Sequence, residues 1–273
     1  MVLLKDKRII ISSLILMAVI FFAIFASFVA PYNPYKTNLD TSERMQPPSF
    51  KHIFGTDELG RDVFTRVIYG SRISLSVALL AVFLMTILGV MLGALSGYFG
   101  GKIDFIIMRF VEMFMCFPTI FLILTVLAFV GPSIFNVMII IGLTSWPGLA
   151  RLVRAEFLSV KERDFVLAAK MHGFSEKRII FKHVLPNSMA PVWVSVTLSL
   201  GSAVLTESAL SFLGLGVQIP TPSWGNILGQ GRFYIDYAWW LMFFPGIFIL
   251  MTVLSFNFIA EALQDHFNPR TQQ

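Results

Sequence analysis

Apolar residues in this chain come in runs too long for a soluble core. Ile9 to Ala30, Ile73 to Ser96 and Ala238 to Ala260 carry few polar interruptions, and each has the length of about 20 residues that a helix needs to cross roughly 30 Å of hydrocarbon. Met113 to Ala150 is free of charge for 38 residues. Gly131-Pro132-Ser133 divides it, because proline cannot continue a helix, giving two spans of which the first begins near Asp104. His183 to Thr206 is a fifth run, in which Pro186 and Pro191 push the expected helix start towards Ala190. Ser208 to Gly231 also lacks charge but holds five glycines, Pro220 and Pro222. A lipid-exposed helix of that composition leaves backbone groups unsatisfied, so an extramembrane or membrane-dipping loop is expected there.

The pattern predicts an all-α polytopic membrane bundle of six transmembrane helices. The first span covers 9–30 and is followed by an outer loop at 31–72. A core at 73–266 holds the other five spans and a long inner loop at 151–189, with short terminal segments at 1–8 and 267–273. The first span is expected to stay in the mature chain. Its 22 residues exceed the core of a signal peptide, and Phe28 is ill-suited to a cleavage after Ala30. Nearly forty residues in the inner loop exceed what a connector between antiparallel spans needs, and their helix-forming composition predicts a folded helical excursion.

Composition sharpens this picture. The chain is 56% hydrophobic and 14% charged, against roughly 25% charged in soluble domains. A soluble enzyme, a disordered tail and a disulfide-stapled module are excluded. The net charge of +5 fits cationic loops that fix topology, not a nucleic-acid partner. Cys116 is the single cysteine, so no intrachain disulfide or cysteine metal site can form. With the N-terminus inside, inner segments hold Lys5, Lys7, Arg8, Lys102, Arg109, Arg270 and the eight cations between Arg151 and Lys182, 14 in all. Outer segments hold seven: Lys36, Arg44, Lys51, Arg61, Arg66, Arg72 and Arg232. Positive charge marks the cytoplasmic side, so both termini are expected in the cytoplasm of a cell whose plasma membrane this chain spans.

No catalytic pattern stands out. Gly101-Lys102 lacks the first glycine and the Ser or Thr of a phosphate-binding loop, and no His-Glu-x-x-His, Gly-x-Ser-x-Gly or paired-cysteine spacing occurs. No catalytic, cofactor or metal site is expected, and the chain is not read as an enzyme. His52, His172, His183 and His266 are scattered through expected loops and read as solvated side chains. Gly89, Gly93, Gly97 and Gly101 recur every fourth residue and line one helix face, for close packing or for a substrate path. Ionisable groups within spans are costly and therefore informative. Arg109 and Glu112 share a helix face and could pair near the inner end of the third span. Glu207 lies about 24 Å beyond Pro191 at 1.5 Å per residue, towards the outer face, where a helix-end charge, a subunit contact and a gating role all remain open.

The inner excursion carries a motif. From Leu167 it reads L-A-A-K-M-H-G, then nine residues, then His183-Val184-Leu185-Pro186. This resembles the EAA loop of ABC-importer permeases, E-A-A-x-x-x-G, nine residues, I-x-L-P. Ala168, Ala169, Gly173, Leu185 and Pro186 match, while Leu167 replaces the glutamate and His183 the isoleucine. Phe54-Gly-Thr-Asp-Glu-Leu-Gly-Arg-Asp62 looks like the F-G-T-D-x-x-G-R-D signature of the C-type permeases for dipeptides, oligopeptides and nickel. Ser211-Phe-Leu-Gly-Leu-Gly216 with Pro222-Ser-Trp-Gly225 is similar to their outer loop. Ala260, Glu261, Gln264 and Asn268 depart from their C-terminal pattern. The resemblance runs from about Phe54 to Arg270.

This resemblance implies a type I importer permease. It would pair with a homologous second permease, two ATPase subunits that bind the ATP, and an extracytoplasmic substrate-binding protein. The segment 164–186 would dock on an ATPase, with Gly173 ending one helix at positive φ and Pro186 re-aiming the chain into the fifth span. Dipeptides or oligopeptides are the first expectation for cargo, nickel or a metal chelate the second. A channel or secondary transporter is the rival class.

Overall fold

Asp62 starts a helix ten residues before the apolar run at Ile73 begins. Its carboxylate accepts a hydrogen bond from the Thr65 N–H at 2.8 Å, satisfying one of the donors a first turn leaves free. The structure, a computed structural model, describes residues 7–37 and 40–267. Lys5, Asn268 and Arg270, and most of the terminal segments 1–8 and 267–273, lie outside the described residues. The helices are α1 (Lys7–Ile24), α2 (Ala26–Val29), α3 (Val63–Phe99), α4 (Gly101–Met115), α5 (Thr119–Val130) and α6 (Ile134–Val160). They continue with α7 (Asp164–Met171), α8 (Glu176–Ile179), α9 (Leu185–Phe212), α10 (Trp224–Gly231) and α11 (Trp240–Phe267). No strand occurs among the described residues; one isolated bridge joins Thr56 to Asp62.

Among the described residues four helical stretches are long and apolar enough to cross a membrane: α3, α6, the run Glu176–Phe212, and α11. The expected third span is broken: α4 and α5 meet at 85°, at a kink that precedes Pro118. Counting that pair gives five. The first span is shorter than expected, because α1 stops at Ile24. Arg72 covers its open end, with Nε donating to the Ala23 carbonyl at 2.9 Å and Nη2 to the Ile24 carbonyl at 3.0 Å.

Close packing of α3 on α6 forms the centre. A Cβ on Gly89 would lie 2.8 Å from Leu149 Cβ, one on Gly93 2.5 Å from the Ala150 carbonyl, and one on Gly97 2.6 Å from Phe157 Cβ. Only glycine permits that approach. Gly101 departs from the series. It has φ +54° with nothing within 4 Å, because α3 ends at Phe99 and Gly100-Gly101 make the turn into α4.

Two further expectations change. The fifth span does not start near Ala190: the chain is helical from Glu176, through a π-turn at Ile180–Val184, to Phe212. A proline ring clashes with the carbonyl four residues back in an α-helix. The wider π-turn, in which the Leu185 N–H reaches the Ile180 carbonyl, relieves that clash just before Pro186. Pro186 therefore sits in a continuous helix and does not re-aim the chain. The Ser208–Gly231 stretch contains α10, whose Ser223–Asn226 capping box and fully buried Trp224 seat it inside protein. The Trp224 indole N–H donates to the Val67 carbonyl at 3.1 Å.

The last ten residues assigned to the outer loop belong to α3, and the loop before them folds into a cap. Trp240 Nε1 donates to the Thr56 carbonyl at 3.1 Å, Phe54 stacks on Phe244 at 3.8 Å, and Tyr32 donates to the Lys51 carbonyl at 2.9 Å. Inside the cap Asp57 takes hydrogen bonds from Arg61 and from the fully buried Arg66. Burial, and then Asp57, push the neighbouring Glu58 carboxyl above its ordinary value. His52 is not solvated. It is 3% exposed, with Nδ1 2.9 Å from Asp62 Oδ2, so the signature stretch is a buried ion cluster. His172 and His266 are exposed and His183 is partly buried.

Candidate functional site: the inner helical excursion

The excursion begins where α6 ends at Val160. Lys161 reaches across to the C-terminal end of α3, its Nζ donating to the Gly97 carbonyl at 3.0 Å. About two helical turns earlier Arg154 grips Asp104 of α4 with both Nε and Nη2, the latter at 2.6 Å, and the same carboxylate accepts from Ser96. Three spans are thereby tied together directly above the excursion. Bidentate guanidinium–carboxylate pairs are the strongest and most directional of polar contacts.

Helix α7 is short and two-faced. Asp164 sits in its first turn, where a negative charge complements the helix dipole. Val166 and Ala169, three residues apart, are buried at 0% and 4%. The opposite side stays open: Phe165 and Leu167 are about two-fifths exposed and Met171 is 89% exposed. Ala168 lies on that open side.

The helix ends at Gly173, where φ is +72°. The Gly173 N–H donates to the Lys170 carbonyl at 2.9 Å and the Phe174 N–H to the Ala169 carbonyl at 3.2 Å. This pair of bonds is the Schellman arrangement, which requires a left-handed residue at its turn. The Arg178 guanidinium lies 4.0 Å from the centroid of the Phe174 ring, and His183 stacks on the same ring with centroids 6.0 Å apart. Leu185 is half-buried and Pro186 exposed. Ala168, Ala169, Gly173, His183, Leu185 and Pro186 thus fall on one compact turn-and-helix unit at the end of the molecule opposite α10.

The other sequence-selected residues lie elsewhere. Arg109 donates to Glu112 at 2.9 Å on the exposed face of α4, with its guanidinium 5.3 Å over Phe105. Glu207 is completely buried. Ser74 donates to its Oε2 at 2.8 Å and Ser211 to its Oε1 at 2.7 Å, so it joins α3 to α9 beneath α10. A contact with another subunit does not fit that position, because α10 and its loop cover the last turns of α9. No sequence pattern points to the Asp104–Arg154 pair, because its members are 50 residues apart and Asp104 reads only as the start of a span. Among the described residues no three His, Cys, Asp or Glu side chains converge as metal ligands would.

Comparison with known proteins bears on this geometry. Residues 89–273 match the binding-protein-dependent transport system inner membrane component family, and residues 2–48 match the N-terminal TM domain of oligopeptide transport permease C. The dipeptide transport system permease protein DppC of Alkalihalophilus pseudofirmus is 43% identical over 266 residues, covering 97% of this chain and 87% of the relative. The oligopeptide transport system permease protein OppC of Bacillus subtilis is 35% identical, covering 98% and 88%. Among solved structures, the inward-facing MetNI methionine ABC transporter matches with a TM-score of 0.61 over 74% of this chain and 96% of that one. At 18% identity that likeness concerns the fold.

Proposed function

Because this chain belongs to the binding-protein-dependent transport system inner membrane component family, whose members are permease subunits of ABC importers, we propose that it forms half of a translocation path for dipeptides or oligopeptides. The other half is a homologous second permease. An extracytoplasmic binding protein delivers the cargo, and two separate ATPase subunits drive the cycle. ATP binds to those subunits, and this chain supplies no catalytic group. Both termini lie in the cytoplasm, on the side where the cations between Arg151 and Lys182 gather. Peptide is preferred over nickel or a metal chelate because the relatives just described are peptide permeases.

The observation that carries the coupling role is the open face of α7. Met171, Ala168 and Leu167 are presented on a helix whose other side is anchored by Val166 and Ala169. An exposed apolar patch of this kind marks a protein contact. A docked ATPase can move such a rigid unit as one body, and the Arg154–Asp104 and Lys161–Gly97 contacts carry the movement to α3, α4 and α6. ATP drives transport only if the ATPase dimer binds the inward- and outward-open permease with different free energy.

Gly173 tests this reading. Asparagine tolerates the left-handed region, whereas a β-branched residue does not. Gly173→Asn should retain most ATP-driven uptake and Gly173→Val should lose it at least tenfold, with membrane levels of both near wild type. Full uptake by Gly173→Val would place the coupling element elsewhere.

A further inference from the structure

A groove of about 1200 Å³ runs between α3 and the stretch that leads from α8 into α9. Both walls are ridged at intervals of four residues. One carries Leu79, Phe83, Ile87, Met91 and Leu95; the other carries Phe181, Leu185, Met189 and Trp193. From Ser76 to Phe99 it runs about 35 Å at 1.5 Å per residue. Its lining is apolar apart from Ser76, Thr86 and one charged residue. Lys177 stands at the inner end, beside Phe99 and Phe181.

That inner end has a distinct chemistry. Lys177, Arg178 and Lys182 are all exposed within little more than one helical turn, with Glu176 as the adjoining acid. From Val90 to Phe99 the inner part of the groove is about 14 Å deep at 1.5 Å per residue, close to half of the roughly 30 Å hydrocarbon thickness. A long apolar cleft with Lys177 in its lining at the inner end, and Arg178 and Lys182 exposed close by in sequence, is the shape of one amphiphile from the inner leaflet. Basic pockets between spans on that side favour anionic lipid headgroups.

We propose that the inner half of this groove is a binding site for an anionic phospholipid, with its headgroup on Lys177 and an acyl chain between the ridges of Met91–Leu95 and Phe181–Leu185. The site adjoins the π-turn at Ile180–Val184, a helical irregularity that frequently marks functional positions. A headgroup there sits between the Gly173 turn and α9, where it steadies the junction that coupling must move. The inference rests on the cytoplasmic placement of the segment between Arg151 and Lys182 proposed above. It stands or falls separately from the identity of the cargo.

The test uses the whole importer complex, purified gently from nanodiscs that contain equal phosphatidylglycerol and phosphatidylcholine, with retained lipid read by native mass spectrometry. The wild-type complex should hold phosphatidylglycerol at least tenfold over phosphatidylcholine. Lys177→Gln and Lys177→Glu should lose that preference by a similar factor, and Leu95→Trp, which fills the cleft, should lose the lipid while the complex stays assembled. Equal retention by wild type and both Lys177 variants would overturn the proposal. So would efficient disulfide formation, under an added oxidant, between a Met91→Cys variant and a cysteine introduced into an apolar spanning helix of the second permease, because a helix would then own the groove. Since lipid mass and not uptake is read, a complex inactive for peptides still answers the question.

Discussion

Gly93 and Gly101 occupy equivalent places in a four-residue series, yet the structure gives them different duties. A Cβ on Gly93 would meet the Ala150 carbonyl at 2.5 Å, and backbone cannot step aside as a flexible side chain can. Gly93→Ala should therefore destabilise the chain by about 1–3 kcal/mol, the usual cost of overpacking. Gly101→Asn should leave the thermal midpoint in detergent nearly unchanged, since the site is open and asparagine accepts positive φ. An unshifted midpoint for Gly93→Ala would mean that α3 and α6 do not pack as described. Sequence spacing reveals a glycine face but not where the helix stops. The doubled glycine at 100–101 was the signal for that end. His52 and Glu207 show the same limit, because a pattern reading cannot see which loop folds back over a side chain.

At the scale of elements, length and hydropathy made α3, α6, α9 and α11 legible, and Gly131-Pro132-Ser133 marked the start of α6. Irregularities were less so. Pro118 lies in a charge-free run and yields a sharp bend, while Pro186 is absorbed by a π-turn that no residue type announces. The unit α7–α8 was readable as a helix ended by glycine, because a left-handed stop has a residue requirement. Its link to the spans was not, because Arg154 and Asp104 meet only in three dimensions. A double-mutant cycle on Arg154→Ala and Asp104→Ala should show a coupling energy of about 0.5–3 kcal/mol, the range for directly paired side chains. Lower ATP-driven uptake should accompany it. Additive effects within error would remove this latch from the coupling route.

The whole molecule divides its charges by place. At one end the Asp57, Arg61 and Arg66 cluster is folded into a cap over α10 and α11. A buried pair of this kind is costly to break, because the remaining charge has no compensation, so the cap is built for rigidity. At the other end Lys170, Lys177, Arg178 and Lys182 remain exposed beside α7, whose Phe165, Leu167, Ala168 and Met171 also stay exposed among the described residues. One end is buried, and the other is the face that the proposed function assigns to the ATPase. The direct test of that division is uptake of a radiolabelled dipeptide into proteoliposomes that carry this chain and its partner permease, with and without the ATPase subunits. Binding protein and ATP are supplied in both cases. The permease pair alone should give no accumulation, and adding the ATPases should give ATP-dependent accumulation that Gly173→Val abolishes. Accumulation without the ATPases would contradict the account.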